Sequence, residues 1–310
     1  MLPTTPHRSP LALGGTVFGD QSDEGWRAVM EAALTSGINH FDTASGYSNG
    51  RSEQLIGKFL TAAPHRRATI FLASKASPNE MTAQAMLAQV EQSLARLQTK
   101  VIDLYYIHWP RQGKDLRPWM EGLEAARRQG KIRAIGVSNF SVEQMTQVAT
   151  VGRIDAHQIC YNLFWRFAEQ AVIPYCRQHH IAVTTYSSVA QGVLTGKFPR
   201  HPQLGMDDKR PNTVLFDAAV WPHVYEGVEQ LKRLAQASGR SLGHMALRWV
   251  LQQPGIDTAV VGARTPTQVQ DNAQALIGDL PATLFAQMTA ISDAVIRHIP
   301  DTGNQYRYYP

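Results

Sequence analysis

The sequence predicts an α/β fold, a (β/α)₈ TIM barrel formed by one domain. Short apolar runs rich in β-branched residues alternate along the chain with longer segments whose apolar residues recur at helical spacing. Such alternation implies a parallel sheet, and eight strand-like runs imply a sheet closed into a barrel. The length of 310 residues lies within the range of single-domain barrels. We expect one domain over residues 1–310, with 1–10 and 301–310 as terminal extensions.

The eight predicted strands follow one another at regular intervals. They cover residues 11–14, 38–42, 69–75, 102–108, 133–138, 156–161, 182–186 and 258–262.

Helical segments lie between these strands. Residues 22–36 place Trp26, Val29, Met30 and Ala33 on one face. Gly37 then supplies a C-terminal stop. Residues 82–97 repeat the pattern, and Ser141 followed by Gln144 forms a capping box at the start of another helix.

Two regions depart from the simple alternation. A long loop with four prolines follows the seventh strand, and a loop of that length in a compact domain is usually functional. Residues 223–252 then contain two helical patterns instead of one, and an extra C-terminal helix is expected near the end. The polar, tyrosine-rich tail 301–310 could either pack as a lid or stay loose.

Composition excludes several classes of protein. Apolar residues make up 44% and charged residues 18% of the chain, which argues against disorder. The net charge of +5 comes from dispersed basic residues, whereas a nucleic-acid-binding protein would carry a basic stripe. The two cysteines, the absence of a signal-peptide pattern and the lack of an ~18-residue apolar run predict a cytoplasmic protein away from membranes. His157 and Cys160 lack further ligands, so no metal site is expected.

Four residue types that suit carbonyl reduction stand at or just beyond the ends of predicted strands: Asp42, Tyr47, Lys75 and His108. The carboxyl ends of barrel strands meet at one mouth, where active sites of this fold lie. A tyrosine hydroxyl, whose pKa is ordinarily about 10, becomes a useful acid when a nearby ammonium favours the phenolate. A carboxylate can hold that ammonium, and a histidine can orient the carbonyl oxygen. Singly, each residue has an ordinary structural explanation; together they favour a catalytic group.

At these residues the sequence resembles the aldo-keto reductases, from about residue 11 to the helix after residue 265. Asp42-Thr43-Ala44 with Tyr47 is similar to the family's aspartate–tyrosine signature, and Lys75 and His108 are similar to its lysine and histidine. The block 130–140, Gly-Lys-Ile-Arg-Ala-Ile-Gly-Val-Ser-Asn-Phe, is similar to its most recognisable internal motif. The resemblance implies a barrel enzyme that uses NADPH to reduce aldehydes or ketones.

The resemblance also implies a binding site for NADPH/NADP⁺, although no Gly-x-Gly-x-x-Gly fingerprint is present. Ser138, Asn139 and Gln158 are implied at the nicotinamide carboxamide, and Tyr186 is implied on the nicotinamide ring. The implied pyrophosphate contacts are Ser187, Val189, Gln191 and Lys197, and further implied cofactor contacts are Gly15, Thr16, Asp42 and Arg210. Gly262, Arg264, Gln268, Asp271 and Asn272 are implied near adenosine. A helix N-terminus beside Arg264 suits the adenosine 2′-phosphate, because free N–H groups and a guanidinium both bind anions.

The substrate pocket is expected to be aromatic, with candidates Phe18, Tyr47, His108, Trp109, Phe164, Trp165 and Trp221. Two alternatives remain open: a Schiff-base lyase with Lys75 as nucleophile, and a non-catalytic NADPH-binding redox regulator. The expected partner is a small-molecule carbonyl compound, and the expected assembly is a monomer or weak homo-oligomer.

Overall fold

The computed structural model describes residues 2, 6–20, 22–205 and 208–308. Within these ranges eight parallel strands form a closed barrel in sequence order. They are β1 Leu11–Gly14, β2 His40–Asp42, β3 Phe71–Ala76, β4 Ile102–Ile107, β5 Ile132–Ser138, β6 Ala156–Cys160, β7 Ala182–Tyr186 and β8 Thr258–Val261. β1 pairs with β8 as well as with β2, which closes the barrel and confirms the predicted fold class.

Helices surround the barrel. They are α1 Asp23–Thr35, α2 Arg51–Ala62, α3 Ala83–Leu97, α4 Arg117–Arg128, α5 Val142–Ala149, α6 Val172–Gln178, α7 Trp221–Ala237, α8 Leu242–Gln252, α9 Pro266–Gln274 and α10 Ala282–Ile296. The long loop between β7 and α7, the two helices α7 and α8 before β8, and the extra C-terminal helix α10 were all predicted. No helix among the described residues is long and apolar enough to cross a membrane.

Local capping explains where the predicted helices begin and end. The Ser22 hydroxyl accepts a hydrogen bond from the backbone N–H of Gly25 at the start of α1. Gly37 follows the end of α1 with φ +78°, a left-handed conformation that glycine adopts without strain. The Ser141–Gln144 capping box is present, with both reciprocal bonds formed.

The second and third strands begin two residues later than predicted. Asn39 is the reason, because its side chain accepts from the backbone N–H of Ser9 and donates to the carbonyls of His7 and Thr69. These bonds tie the chain entering β2 to the segment below the barrel. Residues 38–39 therefore belong to the barrel's lower rim.

Residues that face the barrel axis leave little free space. Phe71, Leu104 and Tyr106 pack together in the interior. Gly136 lies beside the Tyr106 ring, and a Cβ at that position would come within 2.3 Å of a ring carbon. Glycine is thus required here by the close approach of an aromatic side chain, and the interior is a packed core that supports the mouth above it.

His157, on β6, is part of the core. Its Nε2 accepts a hydrogen bond from the Phe140 backbone N–H at 3.2 Å, and its Nδ1 lies 3.7 Å from the Cys176 sulfur. Burial lowers the pKa of His157 to about 3, so the ring is neutral. Cys160 and Cys176 are buried free thiols, and the described residues contain no cluster of three or more metal-ligating side chains.

Lowering the pH should destabilise the fold, because the buried His157 cannot be protonated there as easily as in the unfolded chain. Its pKa falls from 6.5 in the unfolded chain to about 3 in the fold, so the stability it contributes is present above pH 6.5 and is lost as the pH falls towards 3. His157→Gln retains an acceptor for Phe140 but does not titrate. The free energy of unfolding, measured with urea, should fall between pH 7 and pH 5 in wild type. The fall should be about 2 kcal/mol smaller in the His157→Gln variant. The exposed His65→Gln variant should match wild type; equal losses in all three proteins would contradict the role of His157.

Candidate active site

The four predicted catalytic side chains converge at the carboxyl ends of adjacent strands. Asp42 is the last residue of β2, Lys75 lies near the end of β3, and His108 directly follows β4. Tyr47 lies in the turn between β2 and α2. The structure therefore brings all four residues to one side of the barrel mouth.

A buried ion pair forms the centre of this group. The Lys75 Nζ lies 2.5 Å from Asp42 Oδ1 and 2.9 Å from the Thr43 carbonyl oxygen, and both side chains are inaccessible to solvent or nearly so. Burial by itself would lower the pKa of Lys75, but the charge of Asp42 and the oxygen of Tyr47 outweigh it and raise the pKa above 10.5. The ammonium is therefore charged at any working pH.

Tyr47 is the hydroxyl that this ammonium reaches. The Lys75 Nζ donates to the Tyr47 oxygen at 3.4 Å, its longest hydrogen bond in the site. The Tyr47 ring is half-buried, so its hydroxyl stands between a fixed buried charge and the open mouth. A proton leaving this hydroxyl would leave its negative charge beside a cation already in place.

His108 borders the same hydroxyl from β4. Its ring packs edge-on against Tyr47 with centroids 5.6 Å apart. Burial and the nearby Lys75 charge lower the pKa of His108 to about 3, so the imidazole is neutral. A neutral imidazole can donate one N–H to a carbonyl oxygen without adding a second cation.

Gln158 has a contact that sequence reasoning missed. Its Nε2 donates to Asp42 Oδ2 at 2.8 Å, so the two carboxylate oxygens have different partners, Gln158 and Lys75. The resemblance implies a nicotinamide contact for Gln158, and the described bond shows that its side chain also orients the carboxylate of Asp42. Residues 42 and 158 come from β2 and β6, and no local pattern links positions so far apart.

The other predicted nicotinamide residues form a connected polar network. The Asn139 side chain donates to the Ser138 hydroxyl and to the His108 carbonyl, both at 3.1 Å. The Tyr186 hydroxyl donates to Asn139 Oδ1 at 2.7 Å. Asn139 has φ +64°, so its backbone is held in a left-handed turn at the end of β5. The network links β4, β5 and β7 at the mouth.

Lys197, Arg210 and Arg264 lie near one another in the segments that follow β7 and β8. The pKa of Lys197 is lowered first by burial and then by the positive charges of Arg210 and Arg264. Arg210 is itself paired with Asp208, with Nε 2.8 Å from Oδ1. A concentration of positive charge in a part-buried loop is suited to a phosphate.

The turn into α9 has the form expected of an anion-binding helix start. Thr265 caps α9 by accepting from the Gln268 N–H at 3.2 Å, and Gln268 accepts from the Arg264 N–H at 2.7 Å. Asn272 donates to the Gly262 carbonyl at 3.4 Å. Asp271 instead pairs with His244 Nε2 at 2.8 Å, so its carboxylate is directed at α8.

The remaining predicted cofactor residues surround the same mouth. Gly15 and the exposed Thr16 follow β1, where the Gly15 carbonyl accepts from the Ser52 hydroxyl at 3.0 Å. Ser187, Val189 and Gln191 follow β7, and Ser187 and Gln191 have positive φ angles of 52° and 53°. The hydroxyls, amides and cations between β5 and α9 fit the carboxamide and phosphates of a dinucleotide.

The C-terminal tail lies across the mouth. The Tyr306 hydroxyl is 2.6 Å from the Ser187 hydroxyl, and its ring stacks near Tyr186 with centroids 6.2 Å apart. Arg307 pairs with Asp217 of the long loop. Of the two possibilities left by the sequence, the described part of the tail packs; Tyr309 and Pro310 lie outside the described residues.

A cavity of about 360 Å³ opens beside this group, between the loops after β4, β5 and β6 and the tail. Trp109 and Trp165, two of the predicted pocket residues, line it. Tyr47 and His108 border it through Trp109 and Asn139 without being among its lining residues. Phe18 and Phe164 are not in the lining either. Phe18 packs on Trp26 with ring centroids 4.0 Å apart, and Phe164 is fully buried in the outer core.

Trp221 also lies apart from this cavity. It stacks on Phe216 at a centroid distance of 4.8 Å and donates from its indole N–H to the Arg200 carbonyl. Phe18, Phe164 and Trp221 therefore pack away from this cavity, and their place in the substrate pocket stays a prediction.

Comparison with known proteins identifies relatives over almost the whole chain. The profile of the "Aldo/keto reductase family" matches residues 10–293. The chain is 38% identical to the aldo-keto reductase YhdN of Bacillus subtilis over 84% of this chain and 81% of that protein.

Solved structures show the same likeness. The glycerol dehydrogenase of Gluconobacter oxydans superposes with a TM-score of 0.87 at 31% identity, covering 97% of this chain and 96% of that one. An aldo/keto reductase from Klebsiella pneumoniae in complex with NADP and acetate superposes with a TM-score of 0.75 at 26% identity, covering 96% and 94%.

Proposed function

This chain belongs to the aldo/keto reductase family and is an NADP-dependent oxidoreductase that reduces aldehydes or ketones, and we propose that Tyr47 is its general acid. The observation that carries this assignment is the hydrogen bond from the buried Lys75 ammonium to the Tyr47 hydroxyl. Of the four converging side chains, Tyr47 alone can release a proton towards the mouth and leave its charge beside that cation.

Each neighbour has a distinct role in the proposed mechanism. NADPH, when bound, supplies the hydride. His108 donates a hydrogen bond that orients the carbonyl oxygen towards Tyr47, and Tyr47 protonates the alkoxide as it develops. Lys75 stabilises the phenolate that remains, and Asp42 holds Lys75 in place. Gln158 is a positioning residue because it acts on the carboxylate of Asp42.

The proposed cofactor site extends across the barrel mouth. Ser138 and Asn139 would hold the nicotinamide carboxamide, and Tyr186 would stack on its ring. The loop after β7 would carry the pyrophosphate, supported by Lys197. The start of α9 with Arg264 would receive the adenosine 2′-phosphate, because N–H groups and a guanidinium match that anion.

The lyase alternative has less physical support. A Schiff-base lysine must be a neutral amine, whereas the Lys75 ammonium is buried in an ion pair with Asp42 and its pKa is raised. A non-catalytic regulator would not require the hydrogen bond from Lys75 to Tyr47. Neither alternative explains the hydrogen bond between the Lys75 ammonium and the Tyr47 hydroxyl.

We further propose a cytoplasmic enzyme that acts as a monomer or weak homo-oligomer on small carbonyl compounds, without nucleic acid or membrane partners. Two buried free thiols are the form that cysteines keep in a reducing compartment.

Replacing Tyr47 by Phe should abolish most of the reduction. General acid catalysis contributes roughly 10²–10⁴-fold, so kcat in a standard aldehyde assay should fall by at least about 100-fold. NADPH binding, followed by fluorescence, should stay within about twofold of wild type. A Tyr47→Phe enzyme with more than about a tenth of the wild-type kcat would contradict the assignment.

Substitution of Lys75 should lower kcat more than substitution of Asp42. Lys75→Met removes the charge that stabilises the phenolate, so kcat should fall nearly as far as in Tyr47→Phe. Asp42→Asn leaves the ammonium in place and keeps an oxygen near it, so the loss should be smaller. Steady-state rates of the two variants test this order, and a larger loss in Asp42→Asn would mean that Asp42 acts directly.

Arg264 should set the preference for NADPH over NADH. A hydrogen bond to a charged group contributes about 1.5–3 kcal/mol, or roughly ten- to hundredfold in affinity. Arg264→Ala should weaken NADPH binding by about that factor and leave NADH nearly unchanged. The exposed Arg128→Ala variant is a matched control, and wild-type protein that binds both cofactors equally would refute the role of Arg264.

A further inference from the structure

The cavity beside the catalytic group has direct links to it. Trp109, which lines the cavity, follows His108 in sequence, and their rings are 6.4 Å apart. Asn139 and Tyr186 also line it, and Asn139 is bonded to the His108 carbonyl. A carbonyl group oriented by His108 would therefore point its substituent into this space.

The lining of the cavity is mostly apolar. Aromatic and aliphatic side chains from three loops and the tail contribute to it, among them Trp165, Phe167, Val172 and Tyr308. Among the described residues that line it, none is a lysine or arginine, and Asp301 is the one carboxylate. A negatively charged substituent would find no cation there.

Two polar side chains in the lining, Asn304 and Gln144, are hydrogen-bonded to nearby backbone groups. The Asn304 amide donates to the Tyr308 carbonyl, while its oxygen accepts from the backbone N–H groups of Tyr306 and Tyr308. Gln144 accepts from the Ser141 N–H as part of the capping box. These groups therefore present little unsatisfied hydrogen-bonding capacity to a ligand.

We propose, on the basis of the carbonyl-reductase function above, that the cavity selects uncharged carbonyl compounds with an apolar chain or ring and rejects those that carry a carboxylate or phosphate. Burial of an unpaired anion is costly, and the Asp301 carboxylate would repel it. Burial of each methylene is favourable by ~0.8 kcal/mol, or about fourfold in affinity.

Straight-chain carboxamides test this proposal without turnover, because they carry a carbonyl that the enzyme does not reduce. Their binding to the NADPH-loaded protein can be measured by calorimetry from propanamide to octanamide. The expected dissociation constants fall about fourfold for each methylene until the cavity is full. A series with no dependence on chain length would overturn the proposal.

Charge is tested with compounds of equal length. The neutral hexanamide should bind at least about tenfold more tightly than 6-amino-6-oxohexanoate, which ends in a carboxylate. Asp301→Asn should narrow that difference. Equal binding of the neutral and anionic compounds in wild type would also overturn the proposal.

Two variants test whether hexanamide binds in this cavity. Trp165→Leu removes a lining ring and should weaken hexanamide about tenfold, whereas Tyr225→Leu, on α7 and outside the lining, should leave it unchanged. Equal effects of the two variants would place the ligand elsewhere. Reduction of propanal, assayed separately, reports on the carbonyl-reductase function, so failure of one proposal is distinguishable from failure of the other.

A second inference comes from the tail residue Tyr306. Its hydroxyl is 2.6 Å from the Ser187 hydroxyl, and the Gln191 side chain lies nearby. Ser187 and Gln191 are the residues at which we place the cofactor pyrophosphate. A phosphate oxygen bound by the Ser187 hydroxyl would compete with the Tyr306 hydroxyl for the same partner.

The tail is held in this position by further contacts with the long loop. The Gln305 carbonyl accepts from the Val214 N–H at 3.0 Å, and Arg307 pairs with Asp217. Asn304 orders the turn that presents Tyr306. We infer that Tyr306 occupies part of the pyrophosphate position and is displaced when NADPH binds.

Equilibrium and stopped-flow fluorescence of NADPH binding test this second inference. A hydrogen bond contributes about 0.5–1.5 kcal/mol net, or roughly two- to twelvefold. Tyr306→Phe should tighten NADPH binding and speed its association by factors in that range. Tyr175→Phe, whose hydroxyl accepts a hydrogen bond from Thr146 on the outer helices, is the matched control and should bind NADPH as wild type does.

A second variant tests the same inference if the Tyr306→Phe protein does not fold. Asp217→Asn leaves Tyr306 intact and weakens only the ion pair of the tail with the loop, so NADPH association should again be faster. Weaker NADPH binding in both variants would show that Tyr306 supports the cofactor, and unchanged binding would show that it does not compete with it. Either result would overturn the inference.

Discussion

The site depends on one buried ion pair, Asp42 with Lys75. Removing two charges from water costs several kcal/mol for each ion, and the pair is maintained only if every polar group finds a partner. Here the ammonium has Asp42, the Thr43 carbonyl and the Tyr47 hydroxyl, while the second carboxylate oxygen has Gln158. The fold therefore supplies a fixed positive charge beneath a tyrosine that faces the mouth.

The barrel makes this arrangement possible because parallel strands present their carboxyl ends together. Asp42 and Lys75 come from neighbouring strands, and Gln158 reaches the same carboxylate from β6. Ser138, opposite Gln158 in the register of β5 and β6, then leads to Asn139 and Tyr186. Catalytic and cofactor-binding residues thus share one polar network, and the apolar cavity begins where that network ends.

Much of the architecture could be predicted from local sequence patterns. Helical periodicity and the caps at Ser22 and Ser141 located the helices, and the placement of Lys75 and His108 beyond apolar runs located the mouth. The contact between Gln158 and Asp42, the burial of Phe18 and Phe164, and the position of Tyr306 could not be predicted. Each depends on packing between segments far apart in the chain, which neither periodicity nor residue type encodes.

The claim that Lys75 acts through Tyr47 can be tested most directly by a double-mutant cycle. Rates of hydride transfer in a single turnover would be compared for wild type, Tyr47→Phe, Lys75→Met and the double variant. If Lys75 serves only to stabilise the Tyr47 phenolate, adding Lys75→Met to Tyr47→Phe should change the rate by less than about threefold. A further loss as large as that of Lys75→Met alone would contradict the proposed mechanism.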